Sequence, residues 1–137
     1  MKKLISIIFL SLLTFKAEAV SMEAMYKYCK PWQSKGFDTD KITKASEAYC
    51  GYYFTGLIDA GHSHCQGAKF LYEKKPKDFN RIVGVFIEMN ANNEVSLSSV
   101  VASFIKFAEN NRDTWQLPAY TYKDAYLHKT FPCNYKN

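Results

Sequence analysis

The stretch AYCGYYFTGLIDAGHSHC, from Ala48 to Cys65, decides how the rest of the chain is read. Just before it, Asp40 is placed to cap a helix. Ile42, Ala45, Tyr49, Tyr52, Tyr53, Gly56, Leu57 and Ala60 then recur at helical spacing on one broad side, with Lys41, Lys44 and Glu47 on the other. Gly61 is the expected stop. A glycine inside a helix costs roughly 1 kcal/mol relative to alanine, so Gly51 and Gly56 both call for a reason. The closing His62-Ser63-His64-Cys65 admits three readings: a catalytic site, a metal site, or a polar turn on a scaffold.

On either side of this segment the helical pattern continues. A short helix is expected from about Met22 to Cys29, limited by Pro31 and the polar linker QSKGFDTD. Ser96 is a suitable cap for another, in which Val100, Val101, Phe104, Ile105 and Ala108 form an apolar stripe that runs out at Glu109-Asn110-Asn111. Pro118 stands where a helix tolerates proline, at its first turn, and is followed by Ala119, Tyr122, Ala125, Tyr126 and Leu127 before Pro132 ends the run. Phe79, Ile82, Val83, Phe86 and Ile87 also fit helical spacing, although RIVGVFIEM is β-branched enough to form a strand. The expected fold class is therefore all-α: a small bundle of four to five helices, with no internal repeat and no low-complexity tract.

Met1 to Ala19 reads as a secretory signal peptide. Lys2 and Lys3 precede an apolar core from Leu4 to Phe15, and Ala17 and Ala19 form an A-x-A cleavage site. That core is too short to span a bilayer, and residues 20–137 hold no second long apolar run, so no stable membrane insertion is expected after cleavage. Residues 20–137 would form a single domain. Losing Lys2, Lys3, Lys16 and Glu18 lowers the formal charge of +5 by two, too little to argue for nucleic acid. All four cysteines, Cys29, Cys50, Cys65 and Cys133, lie in the remainder. An even count in a small exported domain reads as two disulfides. Spacing leaves three pairings open; the preferred one joins Cys29 to Cys133 and Cys50 to Cys65.

Little in the sequence points to reaction chemistry. His62, His64 and Cys65 are metal-ligand types, but a tetrahedral site needs more donors, the remaining histidine is His128, and a bridged cysteine offers no thiolate. An exposed polar turn is the better reading, with no cofactor. Paired cysteines supply no nucleophile, and no G-x-S-x-G, H-E-x-x-H or S-x-x-K pattern occurs. Asp59, Glu73, Asp78, Glu88 and Glu94 are scattered, so no enzyme activity is expected. The one concentration of charge is Lys69, Lys74, Lys75, Lys77 and Arg81 around Pro76, a segment suited to an acidic partner or to anionic cell-wall polymer.

Cys50-Gly51-Tyr52 with Gly56 and Asp59, then Cys65, Asn110-Asn111, Leu117-Pro118-Ala119 and Phe131-Pro132-Cys133 form a set that resembles the Rap/Tai family of periplasmic immunity proteins, with Cys29 fitting the cysteine of the family's first helix. These proteins protect bacteria from cell-wall amidase toxins delivered by type VI secretion. The resemblance implies an all-helical, disulfide-bonded, non-enzymatic protein, often dimeric, whose partner is a cognate effector toxin. It also implies that Gly51 and Gly56 admit a close neighbouring helix, that Tyr52 packs in the core and that Cys50 anchors a bridge. Two departures stand out: Gln66-Gly67 follow Cys65 where the family has a proline, opening an insert that reaches about Val95, and Arg112 replaces a proline after Asn111. Family members differ in their loops, so the insert is the leading recognition segment. Its candidates for partner contact are Tyr72, Lys74 and Lys75, and Asn90, Asn92 and Asn93 in the polar EMNANNE turn. The runner-up, from another class, is a periplasmic chaperone or stress protein that binds unfolded chains.

Overall fold

The computed structural model describes residues 19–75 and 95–133. Its architecture is all-α, with no named strand among these residues and one isolated antiparallel bridge between Ser21 and Pro118.

Helix α1, Met22–Cys29, starts where the Ser21 hydroxyl accepts the backbone N–H of Ala24 at 3.2 Å, and it buries Met22, Met25 and Cys29 on one side. Pro31 then opens the single-turn helix α2, Pro31–Ser34, which drives Trp32 into the core. Gly36 and Phe37 follow with φ of 66° and 59°, and the Phe37 N–H returns to the Trp32 carbonyl at 2.9 Å. This reversal sends the chain back toward the long helix.

That helix, α3, runs from Ala45 to Lys74 and is about 45 Å long at 1.5 Å per residue. Both of its ends differ from the sequence expectation. Asp38 and Asp40 belong to a 3-10 turn, Thr39–Lys41, in which the Asp38 carboxylate accepts the Asp40 N–H at 3.0 Å. α3 begins only after Lys44, which provides no side-chain cap. Nor does Gly61 stop it. Gly61, Cys65 and Ala68 lie along one buried line of the helix at i, i+4 and i+7. Their burial outweighs the helix cost of one glycine. The insert expected from residue 66 is consequently helical through Lys74; residues 76–94, with the helix-or-strand question over Phe79–Ile87, lie outside the described residues.

Helix α4, Leu97–Asn110, has the expected cap, the Ser96 hydroxyl accepting the Ser99 N–H at 3.1 Å, and buries the expected stripe of Val100, Val101, Phe104, Ile105 and Ala108. Pro118 does not open a helix. Residues 117–119 are used to tie down the start of α1: Met22 N–H donates to the Leu117 carbonyl, and Ala119 N–H to the Val20 carbonyl, each at 2.8 Å. Residues 121–130 then coil continuously, as a π-helical stretch Lys123–Leu127 followed by α5, His128–Thr130.

The core joins the first half of α3 to α1, α4 and residues 119–127. Phe54 stands at its centre, 5.0 Å from the Phe104 ring and 6.1 Å from Tyr122, with Phe104 and Tyr122 edge to face at 5.2 Å. Two disulfides close the frame, Cys29–Cys50 and Cys65–Cys133, and no cysteine is free. This corrects the preferred pairing. Once α3 passes through Gly61, Cys50 and Cys65 are separated by about 22 Å of helix axis. A disulfide needs Cα atoms within about 7 Å. Cys29, at the end of α1, lies across from the start of α3 and meets Cys50 at a Cα separation of 5.3 Å.

Candidate functional site

Of the residues singled out for partner contact, Tyr72, Lys74 and Lys75 stand together on the exposed last turn of α3. Phe70, 59 % exposed, and Tyr72, 38 % exposed, add aromatic surface beside the two lysines. The turn is finished by the Lys75 N–H donating to the Leu71 carbonyl at 2.8 Å. Cys65, seven residues before Tyr72, is bridged to Cys133, so the tip is covalently anchored about two turns below its exposed side chains. Lysines on a helix's last turn also complement its dipole. Asn90, Asn92 and Asn93 lie outside the described residues.

The residues that carried the family resemblance separate into two groups. Gly51 is buried against Trp32: a Cβ placed there would meet the indole at 3.0 Å. This gives Gly51 its reason. Gly56 has open space around it instead, and Asp59 is exposed. Tyr52, expected in the core, is 79 % exposed. The expectation failed because Tyr49, Tyr52 and Gly56 follow the same helical spacing as buried residues, while the face that packs is Glu47, Cys50, Gly51 and Phe54. Phe131 is half-buried and Pro132 is exposed.

Beside Tyr52 a shallow apolar groove of about 200 Å³ is walled by Trp32, Ile42, Gly51 and Leu97. Beneath it lies a polar node that sequence reading missed. Glu47 is a buried charged residue, its carboxylate paired with the Lys35 ammonium and its backbone carbonyl accepting Trp32 Nε1–H at 3.1 Å. The Lys35 hydrogen bond holds the Glu47 carboxyl below the usual glutamate range against the opposing cost of burial. Helical periodicity places Glu47 opposite the aromatic side, and the structure buries it there. Across the bundle, Glu109 accepts from Lys30 and, at 3.0 Å, from the Tyr26 hydroxyl; these bonds lower its carboxyl in the same way. Tyr122 is buried with its hydroxyl on Ser103 at 2.9 Å, and burial pushes its ionisation upward.

His62, Ser63 and His64 are helical and do not form the expected polar turn. His62 Nε2 lies 3.5 Å from Gln66 Nε2, and Cys65 is consumed by its bridge. Among the described residues no group of three or more His, Cys, Asp or Glu is arranged to hold a metal ion, and no helix is long and apolar enough to cross a membrane. His128 contributes Nδ1 to the Lys123 carbonyl at 3.3 Å, within the final helical segment.

No family model matches the chain, and no match was found among curated proteins or solved structures.

Proposed function

We propose that this chain is a periplasmic immunity protein that binds a cell-wall-degrading amidase toxin and occludes its active site. The observation that carries the reading is the tip of α3, where Tyr72, Lys74 and Lys75 are exposed together on a helix anchored by the Cys65–Cys133 bridge. Occlusion needs no catalytic group. It needs a rigid element with an aromatic anchor and a charged rim that can enter a cleft, and an anchored helix loses little ordering entropy when it does so. The resemblance to the Rap/Tai immunity proteins and the A-x-A leader support the same reading, and two disulfides are compatible with an oxidising, exported compartment.

The proposal requires a cell-wall amidase to be encoded beside this gene, and the test uses that protein. Cells that export that amidase should survive when the full chain is co-expressed and lyse without it, and calorimetric titration should give a single tight complex. Replacing Tyr72, Lys74 and Lys75 together with alanine should weaken the complex by about 2–3 kcal/mol while the helical circular dichroism is kept. Full affinity in a folded triple variant would move recognition elsewhere, first to the Glu109–Trp115 connection.

A second reading, a chaperone for unfolded chains, is favoured by one observation: Tyr49, Tyr52 and Phe70 are exposed along α3. It requires weak binding to many unfolded proteins and no protection against the amidase.

A further inference from the structure

Among the described residues, Val20, which the leader's A-x-A motif would expose, already makes a backbone bond to the body of the domain. Val20 contributes its carbonyl to Ala119 N–H at 2.8 Å, Ser21 pairs with Pro118 and caps α1, and Ala19 is exposed. Val20 also forms one wall of an open cavity of about 380 Å³ whose other walls are Tyr28, Ser46 and Tyr49, the two tyrosine rings meeting edge to face at 5.8 Å. Val20 is thus tied to the body of the domain immediately after the bond that the A-x-A motif marks.

We infer that cleavage between Ala19 and Val20 creates a seated amino terminus, with the new Val20 ammonium held at the rim of the Tyr28–Ser46–Tyr49 cavity. The step is a hydrolysis by a leader peptidase. One water is consumed, the Ala19–Val20 amide breaks, Ala19 leaves as a carboxylate and Val20 keeps an ammonium. That cation is two residues before the positive dipole end of α1, whose first N–H groups already donate to Leu117, Trp115 and Ser21. Tyrosine π-faces and the Ser46 hydroxyl supply the stabilising partners that the helix end cannot. The register is tight, because Val20 is already fixed by its bond to Ala119. A longer amino terminus would carry the charge away from the cavity and leave neutral chain at its rim.

The inference rests on the exported part of the proposed reading and not on the toxin, so it can fail or hold independently of any protection assay. The test starts from the full precursor, expressed with its leader. Intact mass of the exported protein should place Val20 first. Inserting Gly-Ser-Gly-Ser between Ala19 and Val20 should give a processed protein that melts about 3 °C lower or more. A different first residue, or an extension that leaves the melting temperature unchanged, overturns the inference. Should the extended chain fail to accumulate, Tyr49→Leu in the natural register takes its place: the α-amino group of Val20 should then be acetylated at least about threefold faster than in the wild-type protein, as expected when a local contact opens. An unchanged acetylation rate counts against the seat.

Discussion

The two halves of α3 are built from different materials. From Ala45 to Ile58 the helix buries Glu47, Cys50, Gly51 and Phe54 against three neighbouring segments; from Asp59 to Lys74 it buries Gly61, Cys65 and Ala68, none larger than a cysteine. The first half is held by aromatic packing and the second by small residues and one disulfide. A helix can thus serve as core at one end and as a presenting arm at the other, without a break in its backbone. The sharpest way to break this comparison is to truncate one phenylalanine in each half. Phe54→Ala should cost about 3–5 kcal/mol, because it empties the centre of the Phe54–Phe104–Tyr122 cluster. Phe70→Ala, at an exposed position, should stay within about 0.5 kcal/mol. Urea melts of both variants decide it; comparable losses would show that the second half also carries core weight.

The bridges give the next largest effect. Removing either should cost about 2–4 kcal/mol, and chain entropy makes the bridge that closes 68 residues worth about 1 kcal/mol more than the one that closes 21. Their local consequences should differ. Loss of Cys65–Cys133 should raise amide exchange chiefly in the second half of α3, whereas loss of Cys29–Cys50 should loosen α1 against the core. Hydrogen exchange on the double cysteine-to-alanine variants tests this, and uniform loosening in both would remove the distinction between the halves.

The glycines sharpen the contrast within the first half itself. Gly51→Ala forces a Cβ to 3.0 Å from the Trp32 ring and should destabilise by about 1–3 kcal/mol. Gly56→Ala meets open space and should stabilise by about 0.5–1 kcal/mol through helix propensity alone. Opposite signs in thermal melts are the expected result. If Gly56→Ala also destabilised, the exposed face of α3 would have a contact that its open surroundings do not reveal.

These residues also show why some of the fold was legible and some was not. Caps that act locally could be read directly: Ser96 opens α4 as its spacing predicts, and the Met22–Cys29 helix has its expected limits. Gly61 could not be read as helix interior, because the burial that overrides its propensity comes from residues distant in sequence. The disulfide error followed from that one boundary. Tyr52 illustrates the remaining limit: periodicity identifies a face but not which face has neighbours, and the packing side of α3 is marked by Glu47, a charged residue. At the candidate site, residue type singles out Tyr72, Lys74 and Lys75 as a proposal, and the structure places them at the end of a helix and not in a loop.

The smallest expected effect at neutral pH is electrostatic. Glu47–Lys35 braces the first half of α3, and Glu109–Lys30 braces α1 against the end of α4. Glu47 and Glu109 both have carboxyls held below their ordinary values, chiefly by hydrogen bonds from Lys35 and Lys30. A group depressed in the folded state contributes stability that is complete above its unfolded value and is lost as pH falls through the folded one. Lys30, raised chiefly by its bond to Glu109, works in the opposite direction: its share is complete below the ordinary lysine value and is lost as pH rises through the folded one. Stability should therefore be flat near neutrality, fall on the acid side below the ordinary glutamate range, and fall again only in strong alkali. Glu47→Gln should flatten the acid limb, and Glu109→Gln should flatten both limbs more weakly, since that pair is partly exposed and screened by solvent. Melting temperature followed from acid to alkaline pH for the three proteins is the measurement. An acid limb unaltered by either substitution would assign acid sensitivity to carboxylates outside the first half of α3 and its neighbours.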